Sequence, residues 1–414
     1  MPRDAAHPLP GSSRPASEIR TLFAVASAHL ISHFYIMVLP VLLPLLKNRL
    51  DVSFLDLGLA LTAFSVVTGL TQAPMGFLVD KVGARPILTA GLVLGGLAFL
   101  SLAFIASYPW LLLVALLGGL ANSVYHPADY AMLASISEHR IGRAFSLHTF
   151  AGFLGGAIAP VALLTLAGYG GLETALVCAG LLGPLVAVLL LVSSQQASAT
   201  RGRTTSCAAQ PKRQRIASIL TPPVLALTAF FALLALANSA IFSFSVVALI
   251  AAHEVSFAAA NAALTSYLAA TAVGVLLGGA LADKVRRHGD ASAIGFGLSG
   301  LILLPVATLS LSVPALILAM GVSGCIFGLV QPARDMLVRR AAPPGAAGRV
   351  FGIVSTGFNI GGIFGPLLFG WLMDHGEPRW VFGAAVIFMG LTALFGLFEE
   401  RRGPKKARLP LTQS

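Results

Sequence analysis

The stretch YHPADYAML, from Tyr125 to Leu133, returns about 205 residues later as VQPARDML, from Val330 to Leu337. The sequence after each copy agrees as well, with GRAF and then GGAIAP in the first half, and GRVF and then GGIFGP in the second. Two similar halves, each with polar residues inside otherwise apolar sequence, are typical of a membrane transporter that arose by duplication. The repeat therefore predicts transport across a bilayer rather than chemistry on a substrate.

The composition of the chain supports a membrane protein. Of 414 residues, 57% are hydrophobic and 10% are charged, and the mean hydropathy is +0.86. Soluble domains are about 25% charged, so no water-soluble packing could hide this much apolar surface. About twelve apolar stretches reach the ~20 residues that a helix needs to cross the hydrocarbon core. We predict an all-α membrane protein with twelve transmembrane helices.

A polar run divides the chain into two halves of six spans each. After Leu191 the sequence changes to SSQQASATRGRTTSCAAQPKRQR, which is too polar to form a core and is typical of a flexible connector. We predict an N-terminal half over residues 1–194 with a short cytoplasmic tail, and a cytoplasmic linker over 195–218. The C-terminal half then covers 219–414 and ends in a basic cytoplasmic tail.

The basic residues predict the orientation. Of the 27 Lys and Arg residues, 23 fall in tails and loops on the side of the N-terminus, three fall on the other side, and Arg334 lies within a span. The positive-inside rule places both termini in the cytoplasm, which implies a multi-pass protein of the inner (plasma) membrane. The net charge of +11 therefore reflects topology, and we predict no nucleic-acid partner.

The sequence lacks the motifs that are typical of enzymes and of cofactor-binding proteins. The chain has no nucleotide-binding loop, no nucleophile constellation and no metal-ligand pattern, so we predict neither an enzyme nor a cofactor. Its three cysteines, Cys178, Cys207 and Cys325, form neither a disulfide framework nor a metal-binding spacing. The expected partners are the lipid bilayer, a small-molecule substrate and protons, and we expect a monomer.

The loop after the second span carries a family resemblance. GFLVDKVGARP resembles the loop signature of the major facilitator superfamily, and GALADKVR repeats it after the eighth span. The resemblance covers the whole chain and implies two pseudo-symmetric six-helix bundles around a central cavity, which rock to give alternating access. It also implies that the two loops gate the cytoplasmic side; a plain solvated loop charge is the alternative for each aspartate. The predicted gating residues are Gly76, Asp80, Lys81, Gly83, Arg85, Asp283 and Lys284.

More narrowly, the His-Pro pair in the fourth span and the glycine-rich fifth span are similar to the fosmidomycin-resistance branch of drug and metabolite exporters. The GGAIAP segment keeps the proline and two glycines of an antiporter pattern, with Ala159 where the pattern has glycine. Small residues let helices approach closely in lipid, and prolines kink them. The predicted packing and kink positions are Pro127, Gly155, Gly156, Pro160, Pro332, Gly361, Gly362, Gly365 and Pro366.

Polar residues line one face of the fourth span. Asn122, His126 and Asp129 follow one another at i, i+4 and i+7. Ionisable side chains inside a membrane are expensive and need a reason to be there. Histidine has an ordinary pKa near 6.5, so we predict that His126 and Asp129 form a titrating, proton-coupling unit. A helix-packing pair whose charges satisfy each other is the alternative.

Other polar residues are predicted to line the cavity. His29 and His33 share a face of the first span, and His148 lies early in the fifth. A metal site at His29 and His33 is an alternative, but neither a Cys nor a carboxylate accompanies them on that face, so we predict none. Asn238 and Asn359 are further polar positions within spans.

In the second half, Gln331 shares a face with Arg334 and Asp335, and the duplication pairs His126 with Gln331 and Asp129 with Arg334. The Arg334 guanidinium stays charged at any accessible pH and suits a carboxylate or phosphonate, so we include all three residues in the substrate cavity. The alternative is an internal ion pair of Arg334 with Asp335, with Asp129, or with both. Pro127 and Pro332 each free a backbone carbonyl, which is tolerated only beside protein or a wet cavity.

Together these features predict a secondary active transporter of a small organic solute, with proton-coupled export (antiport) of an anionic or zwitterionic compound or drug. The first alternative is proton-coupled uptake (symport) of an organic anion. The second, a non-transporting membrane sensor, would require an appended soluble domain that the sequence lacks.

Overall fold

The computed structural model describes residues 15–133, 136, 138–192, 220–341 and 347–402. The predicted linker over 195–218 and Cys207 lie outside these ranges. All regular elements in the described part are helical, which confirms the all-α prediction. They are α1 (Pro15–Leu50), α2 (Phe54–Val82), α3 (Ala84–Phe104), α4 (Tyr108–Asn122), α5 (Tyr125–Leu133), α6 (Glu138–Val192), α7 (Pro222–Ser239), a π-helical turn (Ala240–Phe244), α8 (Ser245–His253), α9 (Phe257–Lys284), α10 (His288–Thr308), α11 (Val313–Leu329), α12 (Gln331–Ala341), α13 (Ala347–Asp374) and α14 (Pro378–Arg402).

The described part contains eleven apolar helical segments long enough to cross a membrane. One of them, Leu147–Val192, has 46 residues, about twice the length that one crossing needs. Its helix, α6, is interrupted at Gly170 and at Gly171, where φ is +75°, a conformation that glycine adopts without strain. Two crossings are therefore joined at this turn, in agreement with the twelve predicted spans.

The helices form two bundles that follow the order of the chain. In the first, α1 and α3 pack on α6, and α2 and α3 pack on α4. In the second, α9 packs on α11, α10 on α14, and α7 on α13. The main contacts between the bundles are those of α2 with α13 and of α6 with α9. This is the two-bundle architecture that the repeat predicted.

The fourth and tenth spans are broken at equivalent places. The fourth span is interrupted at Ser123 and Val124, between α4 and α5, and the tenth is interrupted at Val330, between α11 and α12. Pro127 and Pro332 lie just beyond the two breaks, where the missing N–H groups cannot continue the helical hydrogen bonding. The predicted interruptions are thus present in both halves.

The two bundles meet closely at the face where α2 begins and α13 ends. The Asp374 carboxylate accepts hydrogen bonds from the backbone N–H groups of Phe54, at 2.8 Å, and Leu55, at 2.7 Å. An anion at a helix N-terminus satisfies N–H groups that have no partner within the helix and interacts favourably with the helix dipole. Two turns further along, the Thr62 hydroxyl donates to the Ile363 carbonyl at 2.8 Å. These contacts close the bundle interface at this face.

Toward the other end of α2 the surroundings differ. A Cβ added at Gly76 would meet nothing within 4 Å, and the side chain of the next residue, Phe77, is 77% exposed. The contacts between α2 and α13 described above all lie in the first part of α2, so the bundles are joined at one face and α2 is exposed near the other.

Glycines bring several helices into close contact, as predicted. A Cβ at Gly155 would collide with the Leu30 carbonyl of α1, and one at Gly361 or Gly365 would collide with side chains of α7. Gly362 lies against Ser65 across the bundle interface, and Pro160 and Pro366 lie within α6 and α13. The prediction that Gly156 is a helix-packing position is wrong. A Cβ there would meet nothing within 4 Å, so no close helix approach requires this glycine.

Candidate functional site

The first bundle holds a buried cluster of one carboxylate and two imidazoles. Asp129 of α5 is fully buried, and its Oδ2 atom lies 3.0 Å from Nδ1 of His29 and 3.1 Å from Nε2 of His148. These histidines come from α1 and α6 and are 3% and 2% exposed. Their rings stack on each other with centroids 3.6 Å apart. Three different helices thus contribute one side chain each, and His29 of α1 lies 100 residues before Asp129.

Two further histidines extend this cluster. The ring of His33 lies 4.7 Å from that of His29, one helical turn away on α1, and the ring of His126 lies 5.5 Å from His29. Both residues are half-buried. We call His29, His33, His126, Asp129 and His148 the histidine cluster. The structure therefore brings together all four histidines that the sequence placed in the cavity or the coupling unit.

The local packing explains why α6 can approach the histidine cluster. A Cβ added at Gly152 would lie 2.9 Å from ring atoms of His29 and 3.0 Å from the ring of His33. Together with Gly155 against Leu30, this glycine lets α6 lie directly on α1 at the level of the imidazoles. Glycine at position 152 is thus part of the site, a role that the sequence analysis did not assign to it.

Two polar atoms of the cluster have no hydrogen-bond partner among the described residues. They are Oδ1 of Asp129 and Nδ1 of His126, and both are inaccessible to solvent. A buried acceptor or donor without a partner costs about 1–3 kcal/mol, so such atoms are unusual in a stable core. The cluster therefore has unused capacity for a proton or another cation.

The second bundle holds a fixed positive charge in aromatic surroundings. The Arg334 guanidinium of α12 donates to Oδ1 of Asp335 from both Nε, at 3.0 Å, and Nη2, at 2.7 Å. It also lies over the ring of Phe231, with 4.9 Å to the centroid, and near Phe358, at 5.6 Å. Gln331, at the start of the same helix, is buried. We call Arg334, Asp335, Phe231 and Phe358 the arginine site.

The ion-pair alternatives for Arg334 are now resolved. The guanidinium pairs with Asp335, while Asp129 pairs with His29 and His148 instead. The side chain of Asp335 is 48% accessible and that of Arg334 is 13% accessible. The carboxylate of Asp335 is therefore the more accessible member of the pair, while the guanidinium packs against the rings of Phe231 and Phe358.

Tyr130 connects the two sites. Its ring lies 5.7 Å from the rings of both His126 and His148, and its phenol group lies within electrostatic range of Asp129 and Asp335. Tyr130 is 48% exposed. In the repeat it occupies the position that corresponds to Asp335, and its i+4 spacing from His126 was a signal that could have identified it. Sequence reasoning missed it, as it missed Phe231 and Phe358.

The remaining predicted cavity residues are more scattered. Asn122 is half-buried at the end of α4, and the helix break that follows removes the regular spacing that would align it with Asp129. Asn238 is half-buried in α7, and its Oδ1 has no partner among the described residues. Asn359 lies against Gly69 at the bundle interface. We therefore centre the candidate site on the two clusters rather than on these amides.

The predicted gating loops lie at the ends of helices. Asp80 and Lys81 are exposed in the last turn of α2, and Gly83, with φ of +105°, joins α2 to α3 just before Arg85. Lys284 is exposed where α9 ends, and the side chain of Asp283 lies outside the described part. The gating role of these residues stays a prediction.

The folded chain has more potential metal ligands around His29 than the first span alone provides. The sequence placed no carboxylate on the face of α1 that carries His29 and His33. The fold brings Asp129 to 3.0 Å from His29, with His148 beside it. The missing carboxylate is supplied by another helix, which spacing along one helix could not reveal.

Similar proteins are found by sequence and by fold. A fosmidomycin resistance protein from Escherichia coli (strain K12) is 26% identical over 406 residues, which cover 94% of this chain and 96% of the relative. Multidrug resistance protein MdtH from Enterobacter sp. (strain 638) is 25% identical over 392 residues, or 87% and 91% of the two chains. The fold is similar to a bacterial homolog of the human lysosomal transporter Spinster, solved in an inward-facing and unoccupied conformation. The TM-score is 0.79 at 16% identity, covering 94% of this chain and 98% of the other.

The sequence model of the Major Facilitator Superfamily matches residues 25–253 and 229–413, and so covers almost the whole chain. The twelve-span architecture, the duplicated loop signature and the paired breaks in the fourth and tenth spans agree with this match. Proteins of this family are transporters rather than enzymes. The chain belongs to the major facilitator superfamily.

Proposed function

We propose that this transporter exports a small anionic or zwitterionic organic compound in exchange for protons. In this proposal the histidine cluster carries the protons and the arginine site binds the substrate. Two relatives named for fosmidomycin resistance and multidrug resistance support export. The observation that carries the proposal is Asp129, a fully buried carboxylate that contacts two imidazoles inside a membrane span.

The histidine cluster suits proton transfer because of its composition and burial. Imidazole is the side chain whose ordinary pKa lies closest to cellular pH. Asp129 can share protons with His29 and His148 through its Oδ2 atom, and its Oδ1 atom is still available as an acceptor. A change of net charge at a buried site is expensive unless the surroundings rearrange. Proton binding is therefore expected to favour one conformation of the bundles over the other.

The arginine site suits an organic anion. A guanidinium offers five donors in a planar fork that matches carboxylate and phosphonate oxygens. Here two of its N–H groups are used by Asp335, while Phe231 and Phe358 cover the guanidinium and contribute cation–π attraction. An incoming anion would compete with Asp335 for Arg334, and the same carboxylate could pair with a positive group of a zwitterion.

Tyr130 lies between the two sites and offers a physical route for their coupling. It approaches the imidazoles on one side and is within electrostatic range of Asp335 on the other. A change in the charge of the histidine cluster would thus be felt at the arginine site. Each proton that enters down the membrane potential supplies about 2.3 kcal/mol per 100 mV, enough for a roughly fiftyfold gradient of substrate.

The arrangement of the bundles fits alternating access. With both termini in the cytoplasm, as the basic residues favour, the face closed by Asp374 and Thr62 is the outer one. The face near Gly76 and Phe77 is then cytoplasmic. In this orientation the hydrogen bonds between the bundles lie on the outer side, which favours a conformation that receives substrate from the cytoplasm.

The test is flux in proteoliposomes with an imposed pH gradient, using a panel of radiolabelled organic anions and zwitterions. Asp129→Asn should abolish gradient-driven accumulation and leave substrate exchange without a gradient intact, because the amide keeps the shape but cannot change charge. The matched control is Asp51→Asn, the same change on an exposed turn at φ of +50°, which asparagine tolerates. Accumulation that persists in Asp129→Asn would refute proton transfer at this residue.

A further inference from the structure

The histidine cluster has the ligand set of a transition-metal site. Nδ1 of His29, Oδ2 of Asp129 and Nε2 of His148 all lie within 4.8 Å of one another, and all three residues are buried. The atoms come from α1, α5 and α6, so the fold rather than a sequence motif assembles the set.

The distances suit a shared ion. Zn²⁺ binds imidazole nitrogen at about 2.0–2.1 Å and carboxylate oxygen at about 2.0–2.2 Å, so ligand atoms in a tetrahedral site lie about 3.3–3.4 Å apart. The two observed N–O separations in the cluster are 3.0 and 3.1 Å. Small rotations of the side chains would widen them to this spacing, because the rings are already stacked around one carboxylate oxygen.

Further ligands are within reach. Nδ1 of His126 is buried and has no partner among the described residues, and its ring lies 5.5 Å from that of His29. The ring of His33 lies 4.7 Å from His29. The cluster therefore offers three protein ligands and two nearby imidazoles as candidates for a fourth, the number found in known zinc sites.

Hydrogen bonds alone leave this cluster incomplete. Both imidazoles contact the same oxygen of Asp129, and the other oxygen, Oδ1, is buried without a partner. A bound divalent ion could be coordinated by either oxygen and would neutralise the carboxylate. It would thus satisfy the atom that the hydrogen bonds leave out.

The ligand types select the class of metal. Imidazole nitrogen with one carboxylate suits Zn²⁺, Cu²⁺, Ni²⁺ and Co²⁺, whereas Mg²⁺ and Ca²⁺ prefer sites made of oxygen atoms. No cysteine belongs to the described cluster, so soft Cu⁺ is disfavoured. The class is therefore a divalent first-row transition metal.

We propose that the histidine cluster binds one divalent transition-metal ion, such as Zn²⁺, through His29, Asp129 and His148, with His126 or His33 completing the site. The ion uses the lone pairs that would otherwise hold protons, since metal ligands must be deprotonated. Bound metal therefore fixes the charge of the cluster and stops coupled transport. This inhibitory consequence depends on the proposed function, but metal binding itself does not.

The experiment is isothermal titration of the full-length protein, purified without a histidine tag, with ZnCl₂ and separately with MgCl₂. We expect one Zn²⁺ per chain and no Mg²⁺ binding, and we expect a binding heat that varies with the ionisation enthalpy of the buffer because Zn²⁺ displaces protons. Asp129→Asn and His148→Gln should each weaken Zn²⁺ binding by more than the about 10–100-fold typical of losing a residue that only orients a ligand. His375→Gln, an exposed histidine outside the cluster, should leave binding unchanged.

Co²⁺ absorption in the visible range reports the coordination geometry of each variant that elutes as a single folded species.

The outcomes separate this inference from the proposed function. Absence of Zn²⁺ binding, or binding equally tight in Asp129→Asn and His148→Gln, overturns the metal site. Zn²⁺ binding that requires the cluster, in a protein whose transport ignores the pH gradient, supports the metal site and refutes proton coupling. Zn²⁺ binding that leaves proton-driven flux unaffected overturns the inhibitory role.

Discussion

The two bundles share an ancestor but carry opposite kinds of charge at equivalent positions. The first bundle places Asp129 among histidines, the side-chain type whose ordinary pKa lies closest to cellular pH. The second places Arg334 at the corresponding position, where the charge is permanent and is covered by Phe231 and Phe358. The same helix break, present in both halves, is thus followed by a titratable carboxylate in one bundle and by a fixed cation in the other. Duplication thus supplies the same scaffold to both bundles, and a few substitutions give each bundle a different type of charged group.

The largest effect should come from removing the fixed charge. Arg334→Gln should weaken the binding of an anionic substrate about 10–100-fold, because a hydrogen bond to a charged group contributes about 1.5–3 kcal/mol. The loss should be the same at every pH, since the guanidinium does not titrate. Equilibrium binding measured between pH 5.5 and 8.5 provides the check, with Arg287→Lys, an exposed arginine, as the control. An affinity that stays unchanged would make the pair of Arg334 with Asp335 purely structural.

The next largest effect concerns the packing of the first bundle. Gly152→Ala places a Cβ at 2.9–3.0 Å from the rings of His29 and His33, so we expect a destabilisation of about 1–3 kcal/mol and slower proton-driven flux. Gly156→Ala, one turn further along α6, has nothing within 4 Å of the added Cβ and should be near neutral. Thermal unfolding in detergent and flux assays compare the two. Equal behaviour of both variants would contradict close packing of α6 on the imidazoles.

A moderate effect is expected where the bundles close on each other. Asp374→Asn removes the charge that caps α2 and leaves a single acceptor oxygen for the N–H groups of Phe54 and Leu55. We expect the population with this face closed to fall about two- to tenfold relative to the open one. Spin-label distances across the face measure this shift, with Asp51→Asn as the control. An unchanged distribution would assign the capping contact no role in gating.

The smallest effect concerns the aromatic rings of the second bundle. Phe231→Leu keeps an apolar side chain but removes one cation–π contact to Arg334, which is worth about 0.5–1 kcal/mol at a partly exposed site. Substrate affinity should fall about two- to fivefold, without any change in the pH dependence of transport. Binding assays test the first expectation and proteoliposome flux tests the second. A changed pH profile would show that the two bundles do not divide the roles as proposed.

The fold class and the two-bundle scaffold could be predicted from the amino-acid sequence. Apolar stretches of spanning length dictate helices, because only helices and closed barrels satisfy the backbone in lipid. The repeat around Pro127 and Pro332 predicted the two bundles and the two broken spans, since a missing N–H interrupts a helix wherever it falls. The scarcity of ionisable residues in the spans made His29, Asp129, His148 and Arg334 visible as candidates.

Which of these residues come into contact could not be predicted, because it depends on how the helices pack. Spacing along a helix aligned Asn122 with Asp129, but the break between α4 and α5 removed that alignment, and the partners of Asp129 came from α1 and α6. The aromatic neighbours of Arg334 likewise come from α7 and α13. Sequence patterns report which side chains share a face of one helix. Contacts between helices depend on where small residues such as Gly152 and Gly155 let the backbones approach, and that is decided by packing of the whole bundle.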